Sequence, residues 1–349
     1  MDATAAPVLR AWGPSDAPAV ADLLEPGADP LWAAQFHALH GPPRDGERWR
    51  RTLVAETDGW VLGAATVARN RVHPDRYSCA VDVHPDWRRR GIGRRLLAAV
   101  RAVRPGGLPL ASKLRPSNAA GLCFLAAAGG RVKQRCPGQV VDPTDLRVLA
   151  WTDRHGTPAA PSDAPGLAVG GLEELTVEQV ADAFAEQYLW VHSAWSPVPP
   201  GPPRRALPEV AAATAADVDR VRSSGVWWWG RLVAAVLVFP ADGGWEAVAE
   251  TVVPEVGAVG VPIGVSGVAL LRAALGRTFT EVARLGAGGA GDGGAGDGGV
   301  GDGGVGDGGV GDGGGWVELD GHVDDPHLQT ALDGLPVALL RPLLLVDAP

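Results

Sequence analysis

The stretch Val81–Leu97, reading VDVHPDWRRRGIGRRLL, restricts the fold more than any other part of the 349 residues. An alternating strand end meets Pro85, then three consecutive arginines and two glycines, then an amphipathic helix. Ile92, Leu96, Val100 and Val103 fall on one face of that helix, with Arg94, Arg95 and Arg101 off it. A helix that starts directly after a strand presents unpaired N–H groups and the positive end of its dipole, which suits a phosphate or pyrophosphate. Gly91 and Gly93 let the backbone approach such a ligand without a Cβ in the way. Arg88, Arg89, Arg90 and Arg94 add charge and forked donors. Two common phosphate loops are excluded. A Walker loop needs GKS or GKT, which occurs nowhere, and a dinucleotide fingerprint needs a third glycine where Leu96 stands.

The elements around this segment predict an α+β or α/β fold. LRAWGPSDAPAVADLL reads as strand, turn and helix. TLVAETDGWVLGAATVARN reads as a hairpin about Asp58-Gly59, and YSCAVDVHP as a third strand. LPLASKLR is a strand, and Asn118–Ala128 a helix ended by Gly129-Gly130. The Pro/Ala-rich stretch 151–165 has linker composition, giving a first domain over 1–150 and a second over 166–349. After the linker the order repeats: strand, turn and helix over LAVGGLEELTVEQVADAFAEQ, a hairpin about Gly230-Arg231, the strand WEAVAETVVPEV and the helix SGVALLRAALG. WVELDG and VALLRPLLLVDA supply later strands, with DPHLQTALDGL a short helix between them. The second half therefore reads as a much altered copy of the first. Residues 286–315 repeat aspartate every five residues among 19 glycines, a solvated insertion and not the nine-residue repeat of a calcium-binding β-helix.

Charge divides along the same line. The net charge of −9 is the sum of +7 over 1–150 (21 basic, 14 acidic) and −16 over the rest (10 basic, 26 acidic). A basic half suits an anionic ligand, and the acidic half argues against wrapping nucleic acid. The basic residues also gather at one turn instead of forming a stripe. The longest apolar run, Leu232–Phe239, is too short to span a bilayer, and MDATAAPVLRAWGPSD has neither the basic nor the apolar region of a signal peptide. The expectation is a cytoplasmic protein with no nucleic-acid and no membrane partner. Three cysteines without a CxxC pair disfavour a disulfide framework and a thiolate zinc site.

Val81, Val83, Pro85, Arg88, Gly91 and Gly93 match, position for position, the acyl-CoA loop of the GNAT superfamily of N-acetyltransferases, which most of residues 8–150 resembles in element order. The resemblance implies two GNAT-like domains, each a mixed, mostly antiparallel sheet flanked by helices, the first with an intact loop and the second degenerate. It implies acetyl-CoA as acyl donor and no metal. The backbone of Val81, Asp82 and Val83 would pair with the pantetheine arm, with N–H groups near Val83 polarising the thioester carbonyl. Backbone N–H groups from Arg89, Arg90, Gly91, Ile92, Gly93 and Arg94 would hold the pyrophosphate. Arg88 would shape the loop, and Asn118, at the family's usual asparagine, would contact pantetheine or the thioester.

The acceptor would be an amine, on a small molecule or a protein, attacking directly in a ternary complex; whether the protein is a homodimer stays open. In many family members a tyrosine seven residues after that asparagine protonates the departing thiolate, and here Leu125 stands there. Tyr188 or water are the substitutes, so the catalytic acid is unassigned. Glu56 and Asp82 are base candidates by location only. Cys123 reads as a buried structural thiol. In the second half, VVPEVGAVGVPIGVSGVALL lacks the arginines and carries Glu255, so no CoA is expected there. His322, Asp324, Asp325 and His327 offer a metal-ligand string, or, more simply, an N-cap at Asp325 with Pro326 opening a helix. Trp227–Trp229 would place at least one indole toward the core. The missing tyrosine keeps a second reading in view, an acyl-CoA-binding sensor or scaffold without turnover.

Overall fold

Turn chemistry sets the two hairpins. Asp58 and Gly59 both adopt positive φ (51° and 80°), as do Trp229 and Gly230 (49° and 77°), the primed geometry whose twist matches antiparallel strands. The second turn thus lies one residue earlier than the Gly230-Arg231 reading.

The computed structural model describes residues 6–25, 27–156, 166–241, 243–252, 265–286 and 315–349. In chain order the elements are β1 (Val8–Ala11), α1 (Ala17–Ala21), α2 (Pro30–Leu39), β2 (Arg50–Thr57), β3 (Trp60–Arg69), β4 (Tyr77–Val83), α3 (Ile92–Val103), β5 (Leu110–Leu114), α4 (Ala119–Ala127) and β6 (Arg131–Cys136). They continue with β7 (Gln139–Val141), α5 (Leu146–His155), β8 (Leu167–Gly171), α6 (Val177–Val191), α7 (Pro202–Ala216), β9 (Ser224–Trp228), β10 (Arg231–Ala241), β11 (Gly244–Thr251) and α8 (Gly267–Gly286). The last are β12 (Trp316–Asp320), α9 (Leu328–Ala331), β13 (Leu339–Leu340) and β14 (Leu343–Ala348).

The chain forms two compact units, one of Met1–Lys133 with Leu343–Pro349, the other within Gln134–Pro342. Each is built on a mixed, mostly antiparallel seven-stranded sheet: β1-β2-β3-β4-β5-β14-β6 in the first and β13-β7-β12-β11-β10-β9-β8 in the second. In the first sheet β4 and β5 run parallel, and in the second β11 and β12 do. This is the α+β architecture expected from the sequence.

The units part at different residues from the composition break. Strand β7 and helix α5, which composition places with residues 1–150, belong to the second unit, where β7 pairs with β12 and β13. Strand β14 belongs to the first, pairing with β5 from Leu344↔Leu114 to Ala348↔Leu110. Residues 151–155, read as the start of the linker, finish α5. Trp151 is 1% exposed and packs on Phe279 at 6.2 Å between ring centroids, so burial of one large side chain overrides the linker composition. Residues 157–165, the Gly/Asp repeat over 287–314 and most of the second half's loop counterpart lie outside the described residues.

In the first unit α3 covers one face of the sheet, burying Ile92, Leu96, Leu97 and Val100 against Leu62, Ala65, Val67 and Val83. Val103, expected on that stripe, is 43% exposed because it is the helix's last residue, beyond the sheet contact. On the other face Val20, Leu23 and Phe36, from the α1 and α2 region, pack on Val54, Ala64 and Ala80. In the second unit Trp227 and Trp228 join different clusters on opposite faces of β9, and Trp229 is exposed at the turn.

Candidate functional site

The site lies where β4 leaves its parallel partner. The ladder between β4 and β5 consists of Tyr77↔Leu110 and Ser78↔Ala111, and the strands then separate. On the other side β4 stays paired with β3 as far as Gly63↔Val83. Because His84 N–H donates to Leu62 O, pairs alternate so that the N–H and C=O of Val81 and Val83 point away from β3, toward the gap. Among the described residues, Val81 has no ladder partner on that side. Val83 is already engaged: its N–H donates to Asp82 Oδ1 at 2.7 Å, and its carbonyl accepts from Arg88 Nε at 2.9 Å. The N–H expected near Val83 to polarise a thioester carbonyl is therefore held by a carboxylate, and Val81 N–H is the open donor on this edge.

Beyond β4 the chain makes a tight turn over Pro85–Trp87, in which the His84 ring accepts from Asp86 N–H. Arg89 and Gly91 then take positive φ (63° and 82°), and α3 begins at Ile92 with Gly91 as its N-cap. Glycine is suited to that left-handed cap, and at Gly93 a Cβ would come 3.3 Å from the Phe124 ring. Two left-handed residues flanking Arg90, followed by a helix start, form a concave set of backbone donors.

The arginines divide their work. Arg88 points inward: besides Val83 O it bonds Asp82 Oδ1 at 3.2 Å and pairs with Glu25, tying the loop to the strand end as the sequence suggests. Arg90 lies over the Trp87 ring at 4.5 Å, and Arg95 donates to Pro7 O. Arg89 and Arg94 make no hydrogen bond or ion pair among the described residues and supply uncommitted positive charge beside the helix start. Asn118 caps α4, its Oδ1 accepting from Gly121 N–H at 2.8 Å, which leaves its amide NH2 as the group able to reach a ligand.

The acid–base candidates fare differently. Asp82 accepts from Trp32 Nε1 at 2.8 Å as well as from Val83 N–H and Arg88, so it organises the strand end. Glu56 is paired with Arg10. Leu125, at the usual tyrosine position, is half-buried and packs against Leu114, Leu344 and Val346. Tyr77 is buried and donates to Pro105 O, and Tyr188 stacks on His192 within the second unit. Cys123 is exposed, contrary to the buried thiol expected, because α4 has no fully buried face. Burial pushes the Cys79 thiol up to about 12.

The string His322, Asp324, Asp325, His327 is not brought to one point. His322 Nδ1 and backbone N–H bond Asp325, Asp324 accepts from Gln134, and His327 Nδ1 bonds the wholly buried Glu250 at 2.7 Å. Asp325 does not cap the helix. Helix α9 starts at Leu328, and Glu250 on β11 receives the N–H groups of His327 and Leu328. The helix start is thus served by a carboxylate 77 residues away that is wholly buried and needs such partners, while Asp325 is committed to His322.

Two features escaped sequence reading. Helix α2 opens with Asp29 accepting from Leu31 N–H and Pro30 at its first position, a start signal that was legible. Its Trp32 and Gln35, one turn apart, contact β4 and β5 respectively, and nothing local announces that.

Residues 48–126 match the profile of the acetyltransferase (GNAT) domain family. No match is found among curated proteins. Among solved structures, the chain is similar to a tandem GNAT protein from the clavulanic acid biosynthesis pathway, with 19% identity, TM-score 0.56 and 98% of each chain covered. It is similar also to a GCN5-related N-acetyltransferase from Sphaerobacter thermophilus, with 18% identity, TM-score 0.50 and 98% and 96% of the two chains covered. Pattern, strand separation, loop and fold agree: the chain has a tandem GNAT fold, and within its first unit residues 48–126 match the acetyltransferase (GNAT) domain.

Proposed function

We propose that the first unit binds acetyl-CoA along the free edge of β4 and transfers the acetyl group to an amine, on a small molecule or a protein. The observation that carries this reading is the parting of β4 and β5 after Ser78, directly beside a helix start preceded by Arg89 and Gly91 in left-handed geometry. The pantetheine amides would pair with Val81 as an added strand would, and the N–H groups from Arg89 to Arg94 would hold the pyrophosphate. The amine attacks the thioester carbonyl carbon, the C–S bond breaks, and the thiolate leaves with a pKa near about 8.5, so departure needs no strong acid. The proton lost by the amine passes to solvent. General acid catalysis typically contributes about 10²–10⁴-fold, and with a leucine at position 125 the reaction runs without that contribution.

Leu125 also supports the second reading, binding without turnover. Release of CoA thiol from acetyl-CoA across a panel of amines separates the two. Amine-dependent release that is lost in Gly91→Glu supports transfer. Binding with no release above background for any amine supports the sensor or scaffold.

A further inference from the structure

Where the gap between β4 and β5 opens, a side chain of α2 bonds the β5 backbone. The register Tyr77↔Leu110 and Ser78↔Ala111, with Tyr77 N–H donating to Pro109 O, fixes what a continued parallel ladder would do. Lys113 N–H would go to Cys79 O, and Val81 N–H would go to Lys113 O. Neither bond forms. Instead Gln35 Oε1 accepts from Lys113 N–H at 2.8 Å, and Gln35 Nε2 donates to Lys113 O at 3.3 Å and to Ser112 Oγ at 2.9 Å. One carboxamide supplies the acceptor and the donor that β4 would otherwise have supplied. One turn earlier on the same helix, Trp32 holds the other arm through Asp82.

We propose that Gln35 is a positioning residue that substitutes for β4 at Lys113 and thereby keeps Val81 N–H free for the acyl-CoA arm. Without Gln35 the Lys113 N–H and C=O lose both protein partners, and the backbone groups placed to replace them by the ladder register are those of β4. That pairing consumes the edge the ligand needs. The second unit shows the alternative arrangement. There the parallel pair β11–β12 runs for five residues, Gly244↔Trp316 to Val248↔Asp320, and the glutamine of α6, Gln187, bonds Ala235 O and Glu250 O, neither of which lies on β12.

The inference rests on the acyl-CoA reading, so its test uses two ligands. Calorimetric titrations of acetyl-CoA and of adenosine 3′-phosphate 5′-diphosphate, which carries the pyrophosphate but no pantetheine, compare wild type with Gln35→Ala and Gln35→Glu. Both variants remove the donor to Lys113 O. Acetyl-CoA binding is expected to weaken by about 10-fold in each, the factor that 1.4 kcal/mol represents, while binding of the nucleotide fragment stays within twofold. Equal acetyl-CoA affinity in wild type and variants overturns the proposal. So does parallel weakening of both ligands, which would mark Gln35 as a general stabiliser. Wild-type protein that binds neither ligand removes the acyl-CoA reading, and the positioning role falls with it. Amide hydrogen exchange at Val81 then tells what Gln35 does without ligand: increased protection in Gln35→Ala shows closure of the gap, and unchanged exchange shows that the strands part without it.

Discussion

Arg88→Ala tests whether the loop is preorganised by the contacts described. The guanidinium donates to Val83 O at 2.9 Å and to Asp82 Oδ1 at 3.2 Å, and pairs with Glu25. The side chains of Arg88, Asp82 and Glu25 are 35%, 12% and 47% exposed. The pair with Glu25 is therefore screened and adds little, while the half-buried contacts to Asp82 and Val83 contribute about 1 kcal/mol each. Their loss removes about 2 kcal/mol of preference for the ordered loop. If the ordered form is the one that binds, the apparent Kd for acetyl-CoA rises by up to about 30-fold, the ceiling that about 2 kcal/mol sets. Calorimetric titration measures this directly, with thermal melting confirming that the unit stays folded. Arg88→Lys, which cannot fork between two acceptors, should fall between wild type and Arg88→Ala. An unchanged Kd in a folded Arg88→Ala protein would refute the reasoning, since the loop would then hold its shape without its main internal tie.

Three further outcomes follow from other parts of the chain. Burial alone would lower the His322 imidazolium, but the neighbouring Asp325 carboxylate and Cys136 sulfur outweigh it and push it up to about 10. A raised value in the folded state gives stability that is complete below about pH 6.5 and is lost as pH rises through about 10. Urea midpoints from pH 6 to 10 should therefore fall more steeply in wild type than in Asp325→Asn, and equal slopes would contradict this. Deleting residues 343–349 removes β14 from between β5 and β6 in the first sheet, so the first unit should lose its cooperative melting transition; an unaltered melt would contradict the strand order. One thiol should react quickly with a disulfide reagent under native conditions and vanish in Cys123→Ser, because Cys79 and Cys136 are buried; three fast thiols would refute that burial pattern.

The parts of the fold that were legible in sequence are those fixed by neighbours. Asp58-Gly59 declares its hairpin because both residues tolerate positive φ. Gly91, Gly93 and the arginines declare the loop because strand, turn and helix start lie within 17 residues. What stayed hidden depends on partners far along the chain. Gln35 acts on Lys113, 78 positions away, and Glu250 caps a helix that begins 78 positions later. The destinations of β7 and β14 follow from which sheet edge each can pair with, a choice that propensity does not encode. Asp325 does not cap because its buried carboxylate is committed to the His322 ring and N–H. Composition misled at Trp151, where linker-like residues continue a helix anchored by one indole.

The central claim is that the first unit's loop, and nothing in the second unit, binds acetyl-CoA. Calorimetric titration of acetyl-CoA into the full chain, wild type beside Gly91→Glu, tests it most directly. The substitution places a Cβ at a residue with φ of 82° and a carboxylate where the pyrophosphate would sit. One site per chain, abolished by Gly91→Glu in a protein that still melts cooperatively, is the predicted result. Two sites, or one site that survives Gly91→Glu, would contradict the account.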